Sequence, residues 1–124
     1  MTLAYVDYRG PLVSTNAAYR KNFRGGFYMS AEGKAFKAGV TLAARRAMNG
    51  KAATAEPVSV LIDFWFRTMA SDVDGPVKLV LDALQGVCFK NDRQVVYVSA
   101  GKHRAEIPGQ VGLSLTVNAI PEAE

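Results

Sequence analysis

Two aspartates separated by one residue, Asp72-Val73-Asp74, are the part of this sequence best suited to chemistry. In extended chain, residues i and i+2 point to the same side, so both carboxylates can share one hard cation. Lys78 follows Asp74 by one helical turn, and its ammonium can reach the same place. A carboxylate-bound cation with a lysine alongside suits phosphate ester hydrolysis, because the metal polarises a phosphoryl oxygen and acidifies the attacking water. Magnesium keeps several waters of its own, so two or three carboxylates suffice, and Asp92 is the candidate for the third. Each residue also has a plainer use. Asp74 could cap a helix, Lys78 and Asp82 could be an i,i+4 surface pair, and Asn91-Asp92 could be an ordinary turn.

The elements that must hold these residues can be read from periodicity. Val58, Val60, Ile62, Phe64 and Phe66 alternate with Ser59, Leu61, Asp63 and Trp65, which is the period of a strand with one face in a core. The segment from Arg67 to Gly75 reads as a loop, and Pro76 suits the first turn of a helix. Val77, Val80, Leu81 and Leu84 would be that helix's buried face, Asp74 its cap and Gly86 its end. Upstream, Ser30 offers an N-cap to a longer helix ending near Asn49-Gly50, with Phe36, Val40, Ala43 and Ala47 as its buried stripe. Lys34, Lys37, Thr41 and Arg45 would form a basic ridge on its far side. Leu3–Tyr8, Gln94–Lys102 and Val111–Asn118 read as further strands, and the polar stretch from Ser14 to Gly26 as a loop. The expectation is one α+β domain over residues 1–124, a mixed sheet of about four strands packed with two main helices.

At 124 residues and 49% apolar composition the chain has room for one core and no second domain. It shows neither a secretory leader pattern nor an apolar run of the roughly 18 residues a membrane span needs, so a soluble, cytoplasmic protein with no membrane partner is expected. The single cysteine, Cys88, lies in an apolar helical pattern and reads as a small buried hydrophobe. The net charge of +4 conceals an asymmetry: residues 1–51 carry nine Lys or Arg against Asp7 and Glu32, whereas residues 52–124 carry six against nine acids. A basic half and a carboxylate-bearing half suggest a polyanion held by one and a metal by the other, although a solvated surface explains the charges equally well. Arg20, Lys21 and Arg24, interleaved with Tyr19 and Phe23, form the densest basic and aromatic cluster and suit backbone contact with stacking on opened bases. His103 has no Ser or Cys partner pattern and reads as a surface residue.

The order Asp72-x-Asp74, Lys78, Asp82-Ala83-Leu84 and Asp92-x-Gln94-Val95 resembles the RusA family of Holliday junction resolvases. Ser14-Thr15-Asn16, Tyr19-Arg20 and Ser30-Ala31-Glu32-Gly33 resemble stretches at that family's amino end, so the likeness covers most of the chain and is densest from Asp72 to Val95. The resemblance implies an endonuclease acting on branched DNA, with Asp72, Asp74 and Asp92 binding Mg²⁺ and Lys78 as a catalytic lysine. Asp82 matches a recurrent position, and helical spacing makes it a partner of Lys78. Asn16, Tyr19, Arg20, Lys21, Arg24, Lys34 and Lys37 are the expected DNA contacts. A homodimer is also implied, since two symmetric nicks need two active sites. Ser71, Gly75 and Asn91 stand where family members often carry a basic residue, Asn and Asp. Two rivals remain: a nuclease selective for forks or flaps, and a catalytically silent DNA-binding module whose acids only cap and salt-bridge.

Overall fold

A computed structural model describes residues 1–121. Its elements in order are β1 (Thr2–Arg9), α1 (Thr15–Ala18), β2 (Tyr19–Lys21), β3 (Phe27–Met29), α2 (Ala31–Met48), β4 (Val58–Phe66), α3 (Val77–Leu84), β5 (Val95–Arg104) and β6 (Gly112–Ala119). Four strands form a mixed sheet in the order β1-β6-β4-β5, with β4 and β5 parallel and the other pairs antiparallel. The α+β expectation and the four-strand sheet therefore hold. Parallel neighbours need a crossover, and α3 supplies it between β4 and β5. No helix among the described residues is long and apolar enough to cross a membrane.

One face of the sheet buries Val58, Val60, Ile62, Phe64, Leu113, Leu115 and Val117 against α2 and α3, as the strand alternation requires. The buried stripe of α2 is Phe36, Val40, Ala44 and Met48, one position later than expected at its carboxyl end; Ala43 and Ala47 are only half-buried. The helix ends as expected, with Asn49 in the left-handed region at φ 48°. Thr41 is not on a solvent ridge, because its hydroxyl donates to the Ala83 carbonyl at 3.0 Å and ties α2 to α3. In α3, Leu79 and Ala83 join Val80 and Leu84 in the core, while Val77 and Leu81 are half-buried. Cys88 is buried as expected, but in the turn beyond α3, and burial pushes its thiol up to about 11.

The stretch expected to be a loop is the largest correction. Ser14 caps α1 by accepting from the Ala17 amide at 3.1 Å, and β2 and β3 then form a hairpin. Three-residue strands carry too little periodicity to be recognised in sequence, and a four-residue helix has no stripe. The hairpin is anchored at its base: the Ser30 amide donates to the Ala18 carbonyl at 2.6 Å, and α1 lies so close to α2 that a Cβ on Gly33 would stand 2.7 Å from that of Ala18. The opposite, uncovered face of the main sheet carries a stacked row. Arg9 lies over the Trp65 ring at 4.9 Å, and His103 stacks on its other neighbour side at 4.8 Å while bonding Asp63 at 2.8 Å. His103 is thus exposed as expected but has partners, which the β4–β5 register provides.

Candidate active site

The loop after β4 leaves the carboxyl end of a parallel strand and runs into α3, the region where open α/β sheets place ligands. It is pinned from three directions. Lys102 on β5 donates from Nζ to the Met69 carbonyl at 2.8 Å and the Ser71 carbonyl at 2.9 Å. The Gly75 amide closes a turn onto the Asp72 carbonyl at 3.1 Å. From α1, the Thr15 amide donates to the Gly75 carbonyl at 2.7 Å. A Cβ on Gly75 would sit 3.2 Å from both the Asp72 carbonyl oxygen and the Ser14 Cβ, so glycine permits α1 to approach this closely.

Between this loop, α1 and β2 lies a cavity of about 840 Å³. Ser14, Thr15, Asn16 and Arg20 form one wall, and Asp72, Asp74 and Lys78 the other. Asp74 does not cap α3: Pro76 occupies the N-cap position with no side-chain cap bond, and only the Asp74 backbone carbonyl contributes, accepting from the Val77 amide at 3.1 Å. The proline, lacking an N–H, removes one of the donors such a cap would serve. Asp72 and Asp74 are both exposed, and among the described residues neither carboxylate forms a side-chain hydrogen bond or ion pair.

Asp92 belongs to a second cluster. Lys78 Nζ lies 2.9 Å from Asp82 Oδ1, one helical turn along, and 2.9 Å from Asp92 Oδ2. The hydrogen bond to Asp92, then that to Asp82, raise the Lys78 pKa above the ordinary lysine value, so the ammonium stays charged throughout the neutral range. Asp92 opens a single 3-10 turn, Asp92–Gln94, that is itself well fixed. The Asp92 amide donates to Gln85 Oε1 at 2.8 Å. Asn91 Oδ1 accepts from the Arg93 amide, and Gln94 Nε2 donates to the Thr54 and Glu56 carbonyls at 2.8 Å each. Asn91 therefore has a capping role of its own.

The three aspartates thus stand as a pair and a lysine-linked third. Asp72 and Asp74 follow the carboxyl end of β4, whereas Asp92 precedes the amino end of β5, and the two strands run parallel with Val58 opposite Val95. The eight residues of α3, about 12 Å long, run between these ends. Among the described residues no three His, Cys, Asp or Glu side chains come close enough to form a metal cluster. Magnesium does not require one, since one or two carboxylates with retained waters and substrate phosphates are its usual protein environment. Asp72 and Asp74 meet that requirement: they are hard oxygen donors with no competing partner among the described residues, and they line the cavity. On the facing wall Thr15 has a buried hydroxyl with no hydrogen-bond partner among the described residues. Lys78 also lines the cavity and connects it to Asp92.

The expected nucleic-acid contacts divide into three places. Asn16 and Arg20 face the cavity; Tyr19, Lys21 and Arg24 are exposed on the hairpin; Lys34 and Lys37 line a separate shallow groove along α2 with Arg45. Lys102 and Gln85 had no sequence signal, because their roles depend on the β4–β5 register; Thr15 lies in the Ser14-Thr15-Asn16 stretch, but its bond to Gly75 depends on how α1 docks. A sequence model of a family described as Endodeoxyribonuclease RusA matches residues 10–115 of the chain, a span that includes both walls of the cavity and Asp92. No match is found among curated proteins.

Proposed function

The chain belongs to the RusA endodeoxyribonuclease family, and from that premise we propose that it is a Mg²⁺-dependent nuclease that cuts branched DNA, resolving Holliday junctions by paired nicks as a homodimer. The observation that carries this reading is the cavity that has Asp72 and Asp74, unpaired among the described residues, on one wall and Arg20 on the other, with Lys78 between the acids and Asp92. Asp72 and Asp74 would hold the Mg²⁺, which would supply Lewis-acid polarisation of the phosphate and an acidified water, while Asp92 would act on the site through Lys78. Lys78 stays protonated, so it serves as a fixed cation for the charge that grows on the phosphoryl oxygens and not as a base. Arg20 has the fork geometry to orient a phosphate from the facing wall. Lys34, Lys37, Lys21 and Arg24 supply backbone contacts, and Tyr19 an aromatic surface beside them. Two nicks related by symmetry require two copies of the site, hence the dimer.

Cleavage of a synthetic four-way junction, a fork and a linear duplex, compared in Mg²⁺, tests the substrate class. The junction should be cut at symmetric positions in opposing strands and the duplex left intact. Equal cutting of the fork would replace junction resolution with a broader structure-selective activity.

Lys102 is expected to act on the metal through the loop it pins. Lys102→Met keeps most of the side chain's apolar stem but removes both bonds to the Met69 and Ser71 carbonyls. Loss of such an outer support typically weakens metal affinity about 10- to 100-fold, so the Mg²⁺ concentration for half-maximal cleavage should rise by that factor with the circular dichroism spectrum unchanged. An unchanged Mg²⁺ dependence would mean that the loop is held in place without this lysine.

The Lys78–Asp82–Asp92 cluster favours one second reading, in which these acids only stabilise α3 and the protein binds DNA without cutting it. That reading requires steeply salt-dependent binding and no Mg²⁺-dependent cleavage.

A further inference from the structure

The β2–β3 hairpin has properties that phosphate contact does not explain. Phe23 at its tip is 98% exposed, and Phe27 and Tyr28 on β3 are 72% and 51% exposed. Three aromatic side chains left in water on an eleven-residue excursion need a partner that removes them from it. The tip is nevertheless ordered: Asn22 Oδ1 accepts from the Arg24 amide at 3.0 Å and the Gly26 amide at 2.9 Å, the Asn22 amide donates to the Gly26 carbonyl at 2.8 Å, and Gly25 takes φ +85°. With its base fixed on Ala18 and Gly33, the hairpin presents Phe23 from a preformed support. A two-stranded ribbon this short would be marginal without that anchoring.

Charge identifies the partner. Tyr19 to Met29 contains Arg20, Lys21 and Arg24 and no acidic residue. Exposed aromatics among cations on a rigid support match a nucleic acid with accessible base faces, since base stacking supplies the apolar contact and phosphates the charge. A closed duplex offers no such faces, whereas a branch point does once its centre is opened, because the base pairs flanking an opened centre lose their stacked neighbour on one side.

The hairpin's position adds to this. At its base Arg20 lines the cavity of Asp72 and Asp74, while Met29 borders the groove of Lys34, Lys37 and Arg45 along α2. It therefore stands between the carboxylate cavity and a separate basic groove. We propose that Phe23 is a branch-point wedge: it stacks into the opened centre of the junction, with one DNA arm along the α2 groove and the scissile phosphate in the cavity. This rests on the reading of the protein as a nuclease for branched DNA and adds the element by which it distinguishes branched from linear DNA. Inserting an apolar wedge between base steps is a general way to trade unstacking for contact.

The test uses full-length protein and a four-way junction with 2-aminopurine next to the branch point, in Ca²⁺ to prevent cutting. Wild-type protein should raise the fluorescence of the unstacked 2-aminopurine. Phe23→Ala should abolish that rise and reduce the preference for junction over duplex by about 10- to 100-fold, with Phe23→Trp restoring both. A junction with mismatched central pairs, already open, should recover much of the loss in Phe23→Ala. Because the side chain is almost wholly in solvent, the alanine variant has no packing to lose. If wild type binds and cuts the junction but Phe23→Ala matches it in fluorescence and preference, the wedge is overturned and the nuclease reading stands. If wild type neither binds nor cuts the junction, both are overturned.

Discussion

Replacing Asp74 with Asn should slow junction cleavage about a thousandfold or more, on the order of 4 kcal/mol of lost transition-state stabilisation, while leaving junction binding intact or slightly tighter. Among the described residues the Asp74 carboxylate neither caps α3 nor bonds another side chain, so its replacement removes no side-chain bond that holds the fold. Asparagine is nearly the same size and keeps one carbonyl oxygen, but it lacks the charge that holds a hard cation. Binding should survive because the basic residues of the hairpin and of α2 are untouched, and removing an anion beside a phosphate lowers repulsion. Cleavage rates and gel-shift affinities of the variant against wild type check both parts. A wild-type cutting rate in the variant would remove Asp74 from the chemistry.

The second large effect should come from Lys78→Met, expected to reduce the cleavage rate about 100- to 1000-fold, the usual cost of removing one charge-stabilising group. Methionine keeps much of the aliphatic stem, so packing changes little, but Asp82 and Asp92 lose the ammonium that both contact at 2.9 Å. The pH profile separates a fixed cation from a base. With its pKa raised above the ordinary lysine value by Asp92 and Asp82, Lys78 is charged at every pH below that point and loses its contribution only above it. The defect in Lys78→Met should therefore be constant from pH 6 to 9. A general base at this position would instead make wild-type activity climb with pH and the defect grow. Pairing Lys78→Met with Asp82→Asn adds a check on coupling, because the double variant should be less impaired than the product of the two single defects. Full multiplicativity would mean that Asp82 does not act through the lysine.

Strands with clear alternation were legible from sequence: β4 buries every second side chain, and β6 does the same with Leu113, Leu115 and Val117, although Ser114 on its other face is buried as well. The hairpin was not legible, because Tyr19–Lys21 and Phe27–Met29 are too short to show a period and gain their order from α1 and α2. The stripe of α2 shifted from Ala43 and Ala47 to Ala44 and Met48, since alanine is small enough to suit several faces and only packing selects one. At the site, the Lys78–Asp82 contact followed from helical spacing. The link from Lys78 to Asp92 did not, because it spans 14 residues and depends on the parallel crossover. The separation of Asp92 from Asp72 and Asp74 has the same origin: chain order says nothing about which end of a strand a residue occupies until the direction of its neighbour is known. Ser71 and Gly75, which differ from the family's common residues, prove to be points where the loop is held, one by Lys102 and the other by Thr15.

If the carboxylate cavity makes the protein a metal-dependent nuclease, cleavage must depend on the cation. The most direct measurement is cleavage of a labelled four-way junction by purified wild-type protein, in Mg²⁺ and in EDTA, resolved on a denaturing gel. Symmetric nicks in Mg²⁺ and uncut strands in EDTA are the predicted result; a junction that is bound but uncut in Mg²⁺, or cut equally well in EDTA, would contradict it.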